Sequence, residues 1–322
     1  MARFVVLRLL QAIPMMIVVV LLVFTMLQLT PGDPVQAIVG QFPVPPDFRA
    51  AIEQHYHLND PLWMRLMQYF LNLLHGDLGY SFQSQQPVIE LILQRAPRTL
   101  LLAGAAFVIG VPIGIGIGLL CATTRNRHVD RFWTTTALVG YAVPGFWLGQ
   151  LLVILFAMRL GWFPTQGMAP LISRAHGAGW LLERVRYLAL PAITYAVYEA
   201  TRVARLMRAS VADTLGQGFI VTARAKGLSR AKIIRRHVLR NSSLPVVTVM
   251  GYAFGVAMGG AVLIETVFSW PGIGLLLIEA IRVRDNQTVV GVVLFISLAV
   301  ILMNLLVDML YGLLDPRIRA AR

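Results

Sequence analysis

Charge is what this sequence most lacks: only 13% of its 322 residues are Asp, Glu, Lys or Arg, about half the share found in a soluble domain. Together with 57% hydrophobic residues and a mean hydropathy of +0.70, that shortage excludes a soluble globular chain. Cysteine is almost missing, and Cys121 alone can build neither a disulfide framework nor a thiolate-rich metal site. The six histidines are scattered apart from His55 and His57. No H-E-x-x-H helix occurs, so no metal is expected. A phosphate cradle is absent too, since there is no G-x-x-x-x-G-K-S/T and not even a Gly-Lys dipeptide. No G-x-S-x-G elbow or supported Ser/His/Asp grouping stands in its place. The chain is therefore expected to be no enzyme and to bind no cofactor itself.

Long apolar stretches are what the sequence has instead. Uncharged windows near the 20 residues needed to cross a bilayer run from Leu9 to Leu29, Thr99 to Cys121, Phe132 to Met158, Asn241 to Ile264 and Asn286 to Val307. A sixth crossing is expected from Tyr187 to Met207, whose lower half carries Glu199, Arg202 and Arg205 and so needs shelter by protein. Thr266 to Ile278 is too short to cross, and with Trp270, Pro271, Gly272 and Gly274 it suits a re-entrant or interfacial element. The first window is too long for the apolar part of a secretory signal and lacks an A-x-A site, so it reads as an uncleaved span.

The net charge of +13 would suggest nucleic acid in a soluble protein; in a membrane protein it sets orientation. With the N-terminus inside, the segments holding Arg3 and Arg8, Arg125 to Arg131, Arg202 to Arg240 and Arg317 to Arg322 collect eighteen of the 28 cations. Only Asp130, Asp213 and Asp315 accompany them. Both termini are thus expected to be cytoplasmic, and nucleic acid is not an expected partner. The chain divides into a first segment and span (1–30), an external helical region (31–98) and a five-helix core (99–322). In the external region, Asp60 and Pro61 open an amphipathic helix carrying Leu62, Trp63, Leu66, Met67, Phe70, Leu73 and Leu74 and ending at Gly76. The loop Arg159 to Arg186, rich in Gly and Pro, reads as irregular.

The cytoplasmic segment 208–240 is the most informative. It breaks at Gly216 and Gly218, forms a short helix ending near Gly227, and restarts at Ser229 with an apolar stripe of Ile233, Ile234 and Val238 between Arg230, Arg235, Arg236 and Arg240. Two helices joined by a glycine corner make a rigid knob, which a basic loop attracted to anionic lipid would not need. At these residues the chain resembles the inner-membrane permeases of binding-protein-dependent ABC importers, in their dipeptide/oligopeptide/nickel class. The general family loop, E-A-A then Gly then I-x-L-P, is met at Gly227 but carries Val221, Thr222 and Ala223 for E-A-A, His237 and Leu239 for the I and L, and Arg240 for the proline. The peptide class reads T-A-R-A-K-G-L and then H-x-L-R-N-x-x-L-P, and Thr222 to Leu228, His237, Leu239 to Asn241, Leu244 and Pro245 reproduce it. Pro31 to Pro34, Gly76 to Gly79, Phe268 to Gly272 and Asp315 to Arg319 are similar to the class as well, whereas Arg284-Asp285-Asn286-Gln287 departs from its usual R-D-Y-P.

The resemblance implies an all-α membrane protein of six transmembrane helices with a cytoplasmic coupling helix and a small external helical region. It further implies a second permease subunit, two cytoplasmic ATPases that bind the ATP and Mg, and a periplasmic substrate-binding protein. The coupling contact would fall on Thr222, Ala223, Arg224, Ala225, Lys226, Gly227, Leu228 and His237. Glu265, Met250, Phe254 and Met258 are candidates for the translocation path, with packing the competing account of the last three. Glu199 is expected to pair with Arg202 or Arg205. Asp308, near the end of the last span, is expected to cap or pair. Di- or oligopeptides are the expected cargo, with nickel chelates or glutathione-like compounds left open. A carrier working alone on an ion gradient is the rival, with Pro112, Pro144 and Pro191 as its possible helix breaks.

Overall fold

The computed structural model describes residues 2–29, 35, 45–55, 60–170, 176–257 and 262–314. Among these the regular structure is helical, apart from one two-stranded hairpin of two residues per strand. The motifs at Pro31 to Pro34 and Asp315 to Arg319, and the path candidate Met258, lie outside the described residues, as does the Asp308 side chain.

The helices are α1 (Ala2–Leu29), α2 (Pro46–His55), α3 (Leu62–Leu74), α4 (Val88–Thr123), α5 (Arg127–Ala142), α6 (Gly145–Leu152, continued by π-helical turns Val153–Arg159) and α7 (Ala178–Leu215). They are followed by α8 (Gly218–Ala225), α9 (Arg230–Ile233, continued by π-helical turns Ile234–Val238), α10 (Leu239–Ala257), α11 (Val262–Val267), α12 (Ile273–Arg282) and α13 (Asn286–Leu314). The hairpin pairs Tyr80 with Pro87 and Ser81 with Gln86.

Three helices, over Leu10–Leu29, Val88–Thr123 and Asn286–Val307, are long and apolar enough to cross a membrane, and α5 with α6 makes a fourth if the pair is one broken span. The window Phe132 to Met158, expected as one continuous crossing, is thereby corrected: it bends by 99°. Pro144 causes the break, because it offers no N–H to the Gly140 carbonyl and holds Val143 extended, at φ −72° and ψ 125°. The 38-residue α7 is long enough, but Glu199, Arg202 and Arg205 lower its apolar character. Helix α10 is described as far as Ala257, and the rest of its window resumes at Val262 in α11.

The α4–α7 pair makes the most extensive contact in the structure. Gly110, Gly114 and Gly118 lie one turn apart on α4, and a methyl on each would stand 2.6, 2.5 and 2.6 Å from the carbonyl oxygens of Ala196, Ala200 and Ala204 on α7. Small residues at four-residue spacing on both helices let the backbones touch, a packing that serves association in a medium as apolar as the side chains. This pair is the spine. Helices α5 and α10 pack on α7, and α1 and α13 form the other flank, closed by Val20, Val23 and Leu294 beneath Tyr69, Phe70 and Leu73 of α3.

Gly76 and Gly79 take up left-handed backbone in the turn that follows α3. Gly76, at φ +79°, closes α3 with bonds from its own N–H to Leu73 and from Asp77 N–H to Asn72. The Gly79 amide donates to Asp77 Oδ1 at 2.8 Å, and a methyl there would meet Gln287 of α13 at 2.8 Å. The Gly76 to Gly79 motif is therefore a clasp on the start of α13. Asp285 completes it by accepting from Ser81 Oγ at 2.5 Å and from the Thr288 amide and hydroxyl at 3.1 and 2.7 Å.

The spine predicts different effects from two nearby glycines. Gly114→Ala drives a methyl into the Ala200 carbonyl, whereas nothing lies within 4 Å of a methyl on Gly116. Overpacking of this kind costs about 1–3 kcal/mol. Thermal unfolding of the purified protein in detergent should show a lowered midpoint for Gly114→Ala and an unchanged one for Gly116→Ala.

Candidate functional site

Segment 208–240 forms a compact corner at the basic end of the bundle. Helix α7 stops at Leu215, and the Gly216 and Gln217 amides bond back to Asp213 and Thr214 at 3.2 and 3.1 Å. Helix α8 then runs eight residues and is closed by Gly227 at φ +75°. The Gly227 amide donates to the Arg224 carbonyl at 2.9 Å, and the Leu228 amide donates to the Ala223 carbonyl at 3.3 Å. Nothing lies within 4 Å of a methyl built on Gly227, so backbone handedness is what demands glycine there. Ser229 stands at the start of α9 without a side-chain capping bond.

One side of this corner is continuous with the protein core. Ile220 and Ala223 of α8, with Ile233 and Val238, pack among Val203, Met207 and Val211 of α7 and Val246 and Met250 of α10. Ser242 Oγ donates to Thr214 Oγ1 at 2.9 Å, and Arg230 donates to the Thr123 carbonyl at the end of α4. Arg208 grips Asp130 of α5 through two hydrogen bonds of 3.0 and 2.9 Å, which hold the Asp130 carboxyl below its ordinary range. These contacts and bonds tie the corner to α4, α5, α7 and α10.

The opposite side faces outward. Thr222, Arg224, Ala225, Lys226 and Gly227 are exposed, and so are two large apolar neighbours, Phe219 and Val221, at 42% and 63%. Ala223 lies inside, where its small side chain serves packing against the chain's own core. Leu228 is half-buried against the same core and fastens the corner to its own bundle. His237 is half-buried on the π-helical stretch, and its carbonyl accepts from Asn241 Nδ2 at 2.6 Å. Phe219 and Val221 escaped the sequence reading, because exposure of an apolar residue in a short helix is set by which face the core takes.

The path candidates occupy other positions. Glu265 is fully buried; it accepts from Thr99 Oγ1 at 2.8 Å and from the Leu275 amide at 2.9 Å. Thr99 Oγ1 in turn accepts from the Ile273 amide at 2.8 Å. The carboxylate thus sits on the free N–H groups that open α12, where a negative charge is favoured. A methyl on Gly272 would overlap it, which gives the Trp-Pro-Gly turn its glycine. Trp270, 1% exposed, donates from Nε1 to the Arg98 carbonyl at 2.9 Å and locks the turn against α4. Met250 belongs to the core around the corner, and Phe254 meets Phe107 edge-on at 5.2 Å. Glu199, 2% exposed, pairs with Arg202 as its i+3 neighbour. Among the described residues no group of three His, Cys, Asp or Glu could hold a metal ion.

The buried carboxylate supplies a stability prediction. Glu265→Ala leaves the Thr99 hydroxyl and the Leu275 amide unpaired at a cost of about 1–3 kcal/mol, and Glu265→Gln keeps part of the network. Thermal unfolding in detergent should rank wild type above Gln and Gln above Ala; three equal midpoints would contradict the capping role.

Comparison with known proteins fits this architecture. Residues 114–320 match the family model described as binding-protein-dependent transport system inner membrane component, and residues 1–103 match the model of its N-terminal region. A putative peptide transport system permease protein of Brucella abortus is 41% identical over 312 residues, covering 97% of both chains. The dipeptide transport system permease protein of Escherichia coli K12 is 38% identical over 336 residues, covering 99% of both. The di/tripeptide transport system permease protein of Pseudomonas aeruginosa is also 38% identical, over the full length of both. In structure, a chain of the MetNI methionine ABC transporter in inward-facing conformations superposes with a TM-score of 0.55 at 16% identity, covering 70% of this chain and 97% of that one. A helical spine, a rigid basic corner and family matches from end to end agree: this chain belongs to the inner-membrane components of binding-protein-dependent transport systems, as a permease subunit of the ABC importer type.

Proposed function

We propose that the protein is one half of the membrane channel of an ATP-driven importer of di- or oligopeptides, working with a second permease subunit, two cytoplasmic ATPases and a periplasmic binding protein. The ATP and Mg belong to the ATPases. Support for peptide cargo comes from the Escherichia coli, Pseudomonas aeruginosa and Brucella relatives, whose names specify peptides and which match this chain along nearly its whole length. On this reading six crossings, at α1, α4, α5 with α6, α7, the window that contains α10, and α13, leave both termini and the corner in the cytoplasm, which the excess of cations at that end supports. Glu265 and Phe254 contribute to the path through the packing they hold rather than as an open lining.

The observation that carries the mechanism is the two-sided corner around α8. Its inner side is core, so a push on it moves α7 and α10 as bodies. Its outer side offers Phe219, Val221, Thr222, Ala225 and Lys226 to a groove in an ATPase. Closure of the ATPase pair on ATP displaces the corner, and α7, in backbone contact with α4, carries the displacement into the membrane. Coupling needs such a contiguous rigid element with two positions.

Two substitutions test this. Val221→Asp puts a charge on the exposed face without touching the core, and Gly227→Trp fills the corner itself. Each should leave the protein in the membrane at normal level, lower peptide uptake at least tenfold and abolish the transport-linked stimulation of ATP hydrolysis. Uptake at wild-type rates in Val221→Asp would remove the corner from the coupling path, and uptake on an ion gradient without ATP would reject the importer mechanism.

A further inference from the structure

A polar ladder crosses between α5 and α7 at membrane depth. Arg205 lies 3.8 Å over the ring of Tyr141; Tyr141 stacks on Tyr198 at 5.6 Å and 15°; Arg202 lies 5.7 Å from the Tyr198 ring and pairs with Glu199. The depth follows from the spine. Gly110 is the centre of the uncharged window Thr99 to Cys121, and the Ala196–Glu199 turn of α7 packs directly on it. Glu199 is thus level with the bilayer centre. At 1.5 Å per residue, Arg205 enters only about 9 Å from it, inside a hydrocarbon half-thickness of about 15 Å. Helical side chains lean toward the helix N-terminus, and Arg205 leans back up α7 onto Tyr141 instead of reaching for the nearer surface.

Three further features mark this face. Tyr141, Tyr198 and Arg205 are exposed in the chain. The break at Val143 and Pro144 stands beside them, and irregular backbone at membrane depth is tolerated only inside protein or along a water-filled cavity. Finally, the Arg202 Nε–H is buried without a partner. Glu199 neutralises one arginine of the ladder, which leaves the site with a surplus positive charge carried by Arg205.

Building on the peptide-import reading, we propose that Arg205, stacked on Tyr141 and backed by Arg202, is a mid-membrane contact for the terminal carboxylate of the passing peptide. A guanidinium suits a carboxylate in planar two-point fashion. A single accessible cation, partly engaged by an aromatic face, holds an anion long enough to steer it and weakly enough to release it. This differs from the expected lining at Glu265, Met250 and Phe254, which the fold commits to packing.

The test uses the complete transporter in proteoliposomes, with its binding protein and ATPases. Arg205→Gln should lower uptake of Ala-Ala at least tenfold, while Arg205→Lys, which keeps the charge, stays within threefold of wild type. Equal uptake by Gln and wild type, or equal losses in Gln and Lys, would overturn the proposal. A second arm needs no transport. Ala142→Cys places a thiol at the break, and the native Cys121 is buried. Modification by an anionic methanethiosulfonate sulfonate and by a cationic trimethylammonium analogue should both occur, and the anion-to-cation rate ratio should fall at least threefold when Arg205→Gln is added. No modification in any nucleotide state, or an unchanged ratio, would mean that the ladder is sealed against a partner or lipid and would overturn the proposal. A wild-type transporter that imports no dipeptide would reject the cargo reading instead, and the thiol arm would still decide whether the ladder lines a water-filled, anion-preferring path.

Discussion

Backbone-to-backbone contact between α4 and α7 is the constraint on which the other features depend. Gly110, Gly114 and Gly118 bring α4 against the carbonyls of Ala196, Ala200 and Ala204, and a bulkier residue at any of them would push the helices apart. That contact seals Glu199 in the protein, sets the depth of Arg202 and Arg205, and aligns the basic end of α7 with the end of α4, where Arg230 reaches the Thr123 carbonyl. In a bilayer the hydrophobic effect does not drive helices together, so close packing and buried hydrogen bonds must do it. The ties between Ser242 and Thr214 and between Thr99 and Glu265 are the polar part of that cohesion.

From this spine the two ends acquire different characters. At the basic end, the α8 corner is core on one side and open on the other, with a glycine at φ +75° fixing the turn. At the opposite end, Trp270 and the capped α12 press on the start of the α4 span, and the Gly76 to Gly79 clasp holds α13. From the corner, α7 runs unbroken back along α4, while the neighbouring pair α5 and α6 bends at Pro144. That bend is the one place among the described long helices where the chain turns sharply within a candidate span, and the Tyr141–Arg205 ladder stands next to it.

Much of this was legible in the sequence, for physical reasons that can be named. Apolar length marked the helices, and glycine placement marked both Gly76 and Gly227, because a left-handed helix end admits little else. The i+3 spacing of Glu199 and Arg202 announced their pairing. The bend at Pro144 was only a candidate, since proline interrupts a helix without saying how far the chain will turn; Pro112 and Pro191 lie within helices that continue. The Gly110, Gly114, Gly118 stripe and its alanine counterpart were in view but unread, as small residues in an apolar run look like composition until the facing helix is known. Glu265 was the least legible. Its partners, Thr99 and the Leu275 amide, come from a helix 166 residues away and from a backbone that has no sequence signature.

The central claim is that the α8 corner is held by a nucleotide-driven partner and moves with it. Ala225→Cys creates an exposed thiol in a chain whose only native cysteine is buried, so a spin label there reports on the corner alone. In the assembled transporter the label should be immobilised relative to the isolated subunit, and its distance to a second label on an ATPase should change between the nucleotide-free and ATP-bound states. A label equally mobile with and without the ATPases, in every nucleotide state, would contradict the account.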